Sequence, residues 1–474
     1  MKIGTGNFTS FSRTDRRMKK KRKEEVLFNH HQQMADASVS SSPIARLSQD
    51  QLFSILLLLP IQSILCFATT CKRLNLLAYS DALWESVYRR DWGHPPAEAA
   101  KLPWKNMYRQ VYQLDTVNCH SLLLGNDDEW PCPRPRASHS LNLVSGCLVL
   151  FGGGCEGGRH LEDTWTAYAG VDELKRRRIK WQKTSSGIPE GRFGHSCVVV
   201  GNYLVLFGGI NQHGVRQNDT WVGQVTVEEK LANVKLSWRL LDVSCLSSPP
   251  PSPRGAHAGC CIDNKRMLIH GGIGPSGVRL CDTWVLDLTE DVCFGTWREI
   301  LSQPCPPSRS GHTLTHIDEA KNILFGGRGS GYEVLNDVWL FDSSGGRWIQ
   351  LVFDLCNSLP MPMPRVGHSA NLIIGHRLLI YGGEDSNRHR KDDFWVLDIE
   401  SMTTKLQQRR KTWRRLEFKG GHIPKCRSFH GACVDNSGCY LFVHGGMVDG
   451  SVEPAGSSGL RFDGEFFLVE LILH

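Results

Sequence analysis

The sequence has no Cys-x-x-Cys pair, and Cys260 and Cys261 stand too close together to act as ordinary zinc ligands. No metal and no cofactor are expected from this pattern. It also lacks a long apolar run. The longest aliphatic stretch, Ile55 to Leu59, is stopped by Pro60 and falls far below the roughly 18 residues of a membrane span. The first 25 residues have no apolar core, so no secretory leader is expected, and 17 cysteines in such a chain fit reduced thiols. Charge of one sign is missing over most of the length. Residues 1–25 carry nine basic and three acidic groups, whereas the remaining 449 carry 46 and 45. A near-neutral body argues against nucleic acid as a partner.

Against these absences, glycine (47 of 474) and tryptophan (14) are abundant, which points to β-structure with tight turns. Residues 1–42 have no apolar periodicity and end in the serine stretch Ser38 to Ser42, so a disordered basic tail is expected. Its run Arg16 to Lys23 reads either as a nuclear-import signal or as a solvated tail, giving a nuclear or cytoplasmic expectation.

Residues 43–92 change to helical spacing. Leu52, Ile55, Leu56 and Leu59 fall on one helix face, Ser48 and Gln51 form a capping-box start, and Pro60 ends the helix. Residues 93–116 form a linker in which Trp104, Tyr108 and Val111 keep helical spacing.

From residue 117 the chain repeats. Each unit has Arg-x-x-His, an apolar strand ending in Gly-Gly, then Asp-x-Trp and a later Trp. The units start near 136, 192, 254, 309, 365 and 427. Their glycine pairs are Gly152-Gly153, Gly208-Gly209, Gly271-Gly272, Gly326-Gly327, Gly382-Gly383 and Gly445-Gly446. The Asp-x-Trp tryptophans are Trp165, Trp221, Trp284, Trp339 and Trp395, and the sixth unit weakens after its glycines. Steps of 55 to 63 residues suit four short strands, the length of a propeller blade. The fold class is therefore mainly β, a six-bladed propeller over 117–474 behind a small helical domain. Only 28 residues follow Gly446, enough for a third strand around Phe466, Phe467, Val469 and Leu471 but not for a fourth. The apolar segment 117–124 is expected to supply the outer strand and close the ring.

The repeats resemble kelch motifs. Residues 43–92 resemble an F-box through Leu47, Leu52, Ile55, Leu59-Pro60, Cys71-Lys72-Arg73-Leu74 and Leu83-Trp84, with Leu47-Ser48 where that family opens on Leu-Pro. Together they are similar to the large plant class of F-box/kelch proteins, whose light-sensing members carry a flavin-binding domain that 42 residues could not hold. The resemblance implies a non-catalytic role. The F-box would dock a Skp-type adaptor joined to the cullin of an SCF-type ubiquitin ligase, and the propeller would hold a protein substrate. Adaptor contacts would come from Leu47, Leu52, Ile55, Leu56, Leu59, Pro60 and Trp84. The alternative is a kelch scaffold without ubiquitin transfer.

The six repeated histidines (His139, His195, His257, His312, His368, His430) are expected to make a repeated structural hydrogen bond within each unit rather than a metal ring. Arg216, Arg279 and Arg390 lie five residues before their tryptophans, and Arg159 six before Trp165. These four, in loops beside Pro-rich segments, are candidate contacts for an acidic or phosphorylated substrate segment, with solvated strand ends as the plain alternative.

Overall fold

In a computed structural model, residues 43–92, 103–122, 131–170, 179–228, 233–243, 249–318, 320–353, 361–399, 413–449 and 460–471 are described. The basic run Arg16 to Lys23, the tail as a whole, and Leu123 and Leu124 lie outside them. The chain divides into two compact units, a helical one through Arg109 and a β-rich one from Gln110 onward.

The helical unit opens with a short 3₁₀ turn, Pro43–Arg46, followed by α1 (Gln49–Leu58), α2 (Ile61–Ala68), α3 (Lys72–Ala78) and α4 (Asp81–Trp92). The capping box forms: Ser48 Oγ accepts from the Gln51 N–H at 3.2 Å, and Gln51 Oε1 accepts from the Ser48 N–H at 2.9 Å. Pro60 ends α1 and caps α2. A fifth helix, α5 (Trp104–Gln113), runs across the boundary between the two units.

The second unit is mainly β and propeller-like. Each of repeats one to four forms one sheet around an antiparallel four-strand meander, as in Ser140–Val144, Cys147–Phe151, Asp163–Tyr168 and Trp181–Ser186. An eight-stranded sheet holds the four strands of repeat five (Ser369–Ile373 to Trp413–Gly421). Next to them come Thr116–Ser121, Phe466–Glu470, Tyr440–His444 and Gly431–Val434. The strand Thr116–Ser121 pairs antiparallel with Phe466–Glu470 and parallel with Trp413–Gly421.

Apolar clusters join one repeat to the next, because no single sheet buries both of its faces alone. Trp165 and Trp181 of repeat one pack with Phe442 and Phe466 of repeat six. Trp284 and Trp297 of repeat three pack with Val205 and Phe207 of repeat two.

The repeated residues explain themselves in this setting. The arginine of every repeat is buried, and in repeats one to five it grips its aspartate with two nitrogens. Arg136 donates to Asp163 at 2.7 and 3.0 Å and to the Gly152 carbonyl at 2.9 Å, and the Trp165 indole donates to the same carboxylate at 2.7 Å. The same fork recurs at Arg192–Asp219, Arg254–Asp282, Arg309–Asp337 and Arg365–Asp393. In repeat six Glu465 stands in for the aspartate and Phe467 for the tryptophan, with Arg427 on both. The glycine pairs are required because both residues have positive φ. A Cβ on the first, Gly152, would also lie 2.7 Å from the carbonyl oxygen of Arg192 in the next repeat.

At the axis, one residue per repeat has positive φ: Ser138, Gly194, Ala256, Gly311, Gly367 and Phe429. Their backbones form a closed cycle. Each N–H donates to the carbonyl of its counterpart in the preceding repeat at 2.6–2.9 Å, and Ser138 completes the circle by donating to Phe429.

Candidate functional site

In the helical unit, polar side chains fix the helices, and several apolar side chains stay exposed. Arg73 donates to the Leu47 carbonyl at 2.8 Å, Arg90 to the Leu57 and Leu59 carbonyls at 2.6 and 2.9 Å, and the Trp84 indole to the Ala78 carbonyl at 2.9 Å. The expected adaptor residues divide accordingly. Leu52, Leu56 and Trp84 are buried in the unit's own core, so they hold the helices rather than offering a contact surface. Ile55 is 41% exposed, Pro60 is exposed, and Leu47 and Leu59 are half-buried. Sequence reasoning passes over Leu58, which is 86% exposed, and Leu76, which is 76% exposed. The continuous run Ile55 to Leu59 hides which leucine points outward.

On the β-rich unit, the six repeated histidines line an axial cavity of about 330 Å³ together with Phe193, Phe429 and Met447. Their hydrogen bonds correct the expectation of a bond within each repeat, because every one crosses to the preceding repeat. His195 Nε2 meets Ser140 at 3.1 Å, His257 meets Ser196 at 2.7 Å, His368 meets Thr313 at 2.9 Å and His430 meets Ser369 at 2.9 Å. His312 and His139 instead meet His270 and His444 at 3.1 and 3.2 Å. The wedge shape of a blade brings neighbouring strands closest at the axis, where these side chains sit. Burial drives the pKa of His195, His257 and His430 down to about 3, so they are neutral donors or acceptors.

The four candidate arginines differ from one another. Arg216 and Arg279 begin strands, opposite Ile210 and Ile273 in register, rather than lying in loops. Arg216 donates to the Gly214 carbonyl at 3.0 Å, and its Nε is buried without a partner. Arg279 donates to Ser310 at 3.1 Å and packs its guanidinium 4.6 Å from the Tyr332 ring centre. Arg159 is exposed beyond the turn Glu156–Gly158. Arg390 is buried and engaged with Asp449 at 2.6 Å, Glu384 at 3.5 Å and Ser428 at 3.1 Å.

Family comparisons bear on both units. Residues 49–90 match the F-box-like family, and residues 194–357 match the KLHDC2/KLHL20/DRC7 Kelch-repeats domain. Residues 306–458 match the beta-propeller of tRNA wybutosine-synthesizing protein 4. An F-box/kelch-repeat protein of Arabidopsis thaliana is 53% identical over 458 residues, covering 92% of this chain and 94% of the relative. This chain belongs to the F-box/kelch-repeat family. Relatives also include Adagio-like protein 3 of Oryza sativa subsp. japonica, 30% identical over 426 residues. That match covers 87% of this chain but only 61% of the relative. The plant relatives agree with the plant-type resemblance read from the motifs.

Proposed function

We propose that this F-box/kelch chain is the substrate-recognition subunit of an SCF-type ubiquitin ligase. Its F-box docks a Skp-type adaptor, and through it a cullin, while the propeller binds the protein destined for ubiquitination. One observation carries the reading. A unit matching the F-box-like family leaves Ile55, Leu58 and Leu76 exposed, in the same chain as a kelch propeller. Large apolar side chains stranded on a small unit favour a protein partner. The mechanism is proximity: holding a substrate lysine near the ubiquitin donor raises its local concentration without any chemistry by this chain.

The propeller is read as six-bladed, with Thr116–Ser121 as the outer strand of the sixth blade. The six-membered backbone cycle at the axis supports this reading. The basic run Arg16 to Lys23 is proposed as a nuclear-import signal, testable by its deletion from a fluorescent fusion. Substrate is proposed to bind at the axial mouth, with Arg216 and Arg279 as contacts and Arg159 at its margin. Arg390, already engaged by carboxylates, serves the mouth by holding its neighbours in place.

The test is reconstitution with a Skp-type adaptor, a cullin and the ubiquitin-transfer enzymes. A single assembly in gel filtration, with ubiquitin transferred to proteins captured by the propeller, is expected. Capture of proteins by a chain that never joins the adaptor would instead favour a kelch scaffold.

A further inference from the structure

Resting on the reading of the propeller as a substrate receptor, we propose that its axial mouth takes a linear peptide. The peptide presents one large apolar side chain to the cavity and an acidic residue to Arg216 or Arg279. Charge around the mouth is lopsided. On repeats four and five, Arg328 and Arg390 are already answered. Arg328 lies 3.7 Å from Glu384, Arg390 lies 2.6 Å from Asp449, and Ser428 donates to Glu384 at 3.0 Å. On repeats two and three, Arg216 and Arg279 meet no carboxylate among the described residues, and Arg216 keeps a buried Nε without a partner. Two guanidiniums without counter-charges make this arc attractive to an anion.

The same arc is apolar. Ile210 and Ile273 lie opposite the two arginines, and Val215, Val278 and Tyr332 are 54, 62 and 70% exposed. Ile210 pairs with Phe193, which lines the cavity. Across the axis stands Phe429. It holds a φ of +56°, a conformation that bulky residues disfavour, at a position filled by glycine in three of the six repeats. Its ring lies over Gly367, where a Cβ would come within 2.7 Å of it. Strain of this kind at the mouth of a cavity is a mark of function. The cavity thus offers an aromatic wall beside a positive rim.

Carboxylates fit better than a phosphate. Each arginine stands on a separate sheet and already gives one nitrogen to its own surroundings, leaving a single edge for a singly charged group. A phosphate dianion is best held by convergent guanidiniums.

The experiment pans a phage-displayed library of random linear peptides against the full-length protein, with no adaptor or cullin present. Its failure therefore leaves adaptor docking untouched, and a failed adaptor assay leaves this result untouched. Enriched sequences should carry Asp or Glu within a few residues of an aromatic or large aliphatic side chain. A synthetic peptide of that sequence should bind roughly tenfold or more weaker when its acid is changed to the amide. The Arg216→Ala/Arg279→Ala protein should lose a similar factor or more at an unchanged melting temperature. The peptide substitution probes the contact even if the protein variant folds poorly. No enrichment, acid-free consensus sequences, or equal affinity for acid and amide peptides would overturn the proposal. So would a phosphoserine peptide that outbinds the acidic one.

Discussion

His312 takes its inter-repeat hydrogen bond from His270, at 3.1 Å, where four other repeated histidines use a hydroxyl. The reason is visible in the preceding repeat. The residue after each repeated histidine is Ser140, Ser196, Thr313 or Ser369 where a hydroxyl serves, but Ala258 in repeat three and Gly431 in repeat six. In those two repeats the aromatic before Gly-Gly, elsewhere Phe151, Phe207, Phe325 or Tyr381, becomes His270 or His444. A lost hydroxyl is replaced by an imidazole reaching the same nitrogen.

This substitution rule makes a prediction about stability. His270→Phe alone should cost about 1–3 kcal/mol, because His312 Nε2 is left buried without a partner. Adding Ala258→Ser should recover most of that loss. Denaturant titration of the four proteins of this cycle measures the coupling, and additive effects would contradict the account.

The buried histidines also set an acid limit. Burial lowers the pKa of His195, His257, His270, His430 and His444 to about 3, against an unfolded value near 6.5. Between those values the unfolded chain binds protons that the folded chain refuses. Stability is therefore full above pH 6.5 and falls as pH drops below it, by up to about 1.4 kcal/mol per group per unit. Burial alone would push the Asp163 carboxyl up, but the Arg136 fork and the Trp165 indole bring it below its usual value. Its contribution is lost only below pH ~4. Melting curves should shift down by several degrees from pH 7.5 to 5.5, and a flat profile would show the imidazoles to be hydrated.

The repeated fork is expected to be intolerant of half-removal. Arg309→Met leaves Asp337 beside an apolar chain, at a cost of about 3 kcal/mol or more. Arg309→Met with Asp337→Leu should lose less, since neither charge is stranded. Chemical unfolding of both variants gives the comparison.

Ring closure through Thr116–Ser121 predicts that a chain beginning at residue 126 melts lower than one beginning at 94 and associates through exposed strand edges. Light scattering and calorimetry on the two chains are sufficient, and equal behaviour would place the outer strand elsewhere.

Much of this architecture is legible in the sequence because its constraints recur. Positive φ at the glycine pair recurs in all six repeats, and a carboxylate shared by an arginine and a tryptophan, as Arg136 and Trp165 share Asp163, recurs in the first five, so spacing alone announces them. Direction is less legible. Leu52, Leu56 and Trp84 carry the same helical pattern whether they face a core or a partner, and the unbroken run Ile55 to Leu59 leaves no polar residue to mark Leu58 as the outward one. The mouth is hidden for another reason. Arg216 and Arg390 occupy equivalent places before their tryptophans, and only Glu384, six residues before Arg390, and the sequence-distant Asp449 distinguish a guanidinium without a carboxylate from one that is paired.

Binding of the full chain to a purified Skp-type adaptor, measured by titration calorimetry, tests the central claim most directly. Leu58 is the decisive residue because it is 86% exposed on α1 and contributes little to the unit's own core. The wild-type chain should bind, and Leu58→Asp should weaken binding by about 30-fold or more at an unchanged melting temperature, as loss of an apolar interface anchor does. A wild-type chain that does not bind the adaptor, or a Leu58→Asp chain that binds it undiminished, would contradict the account.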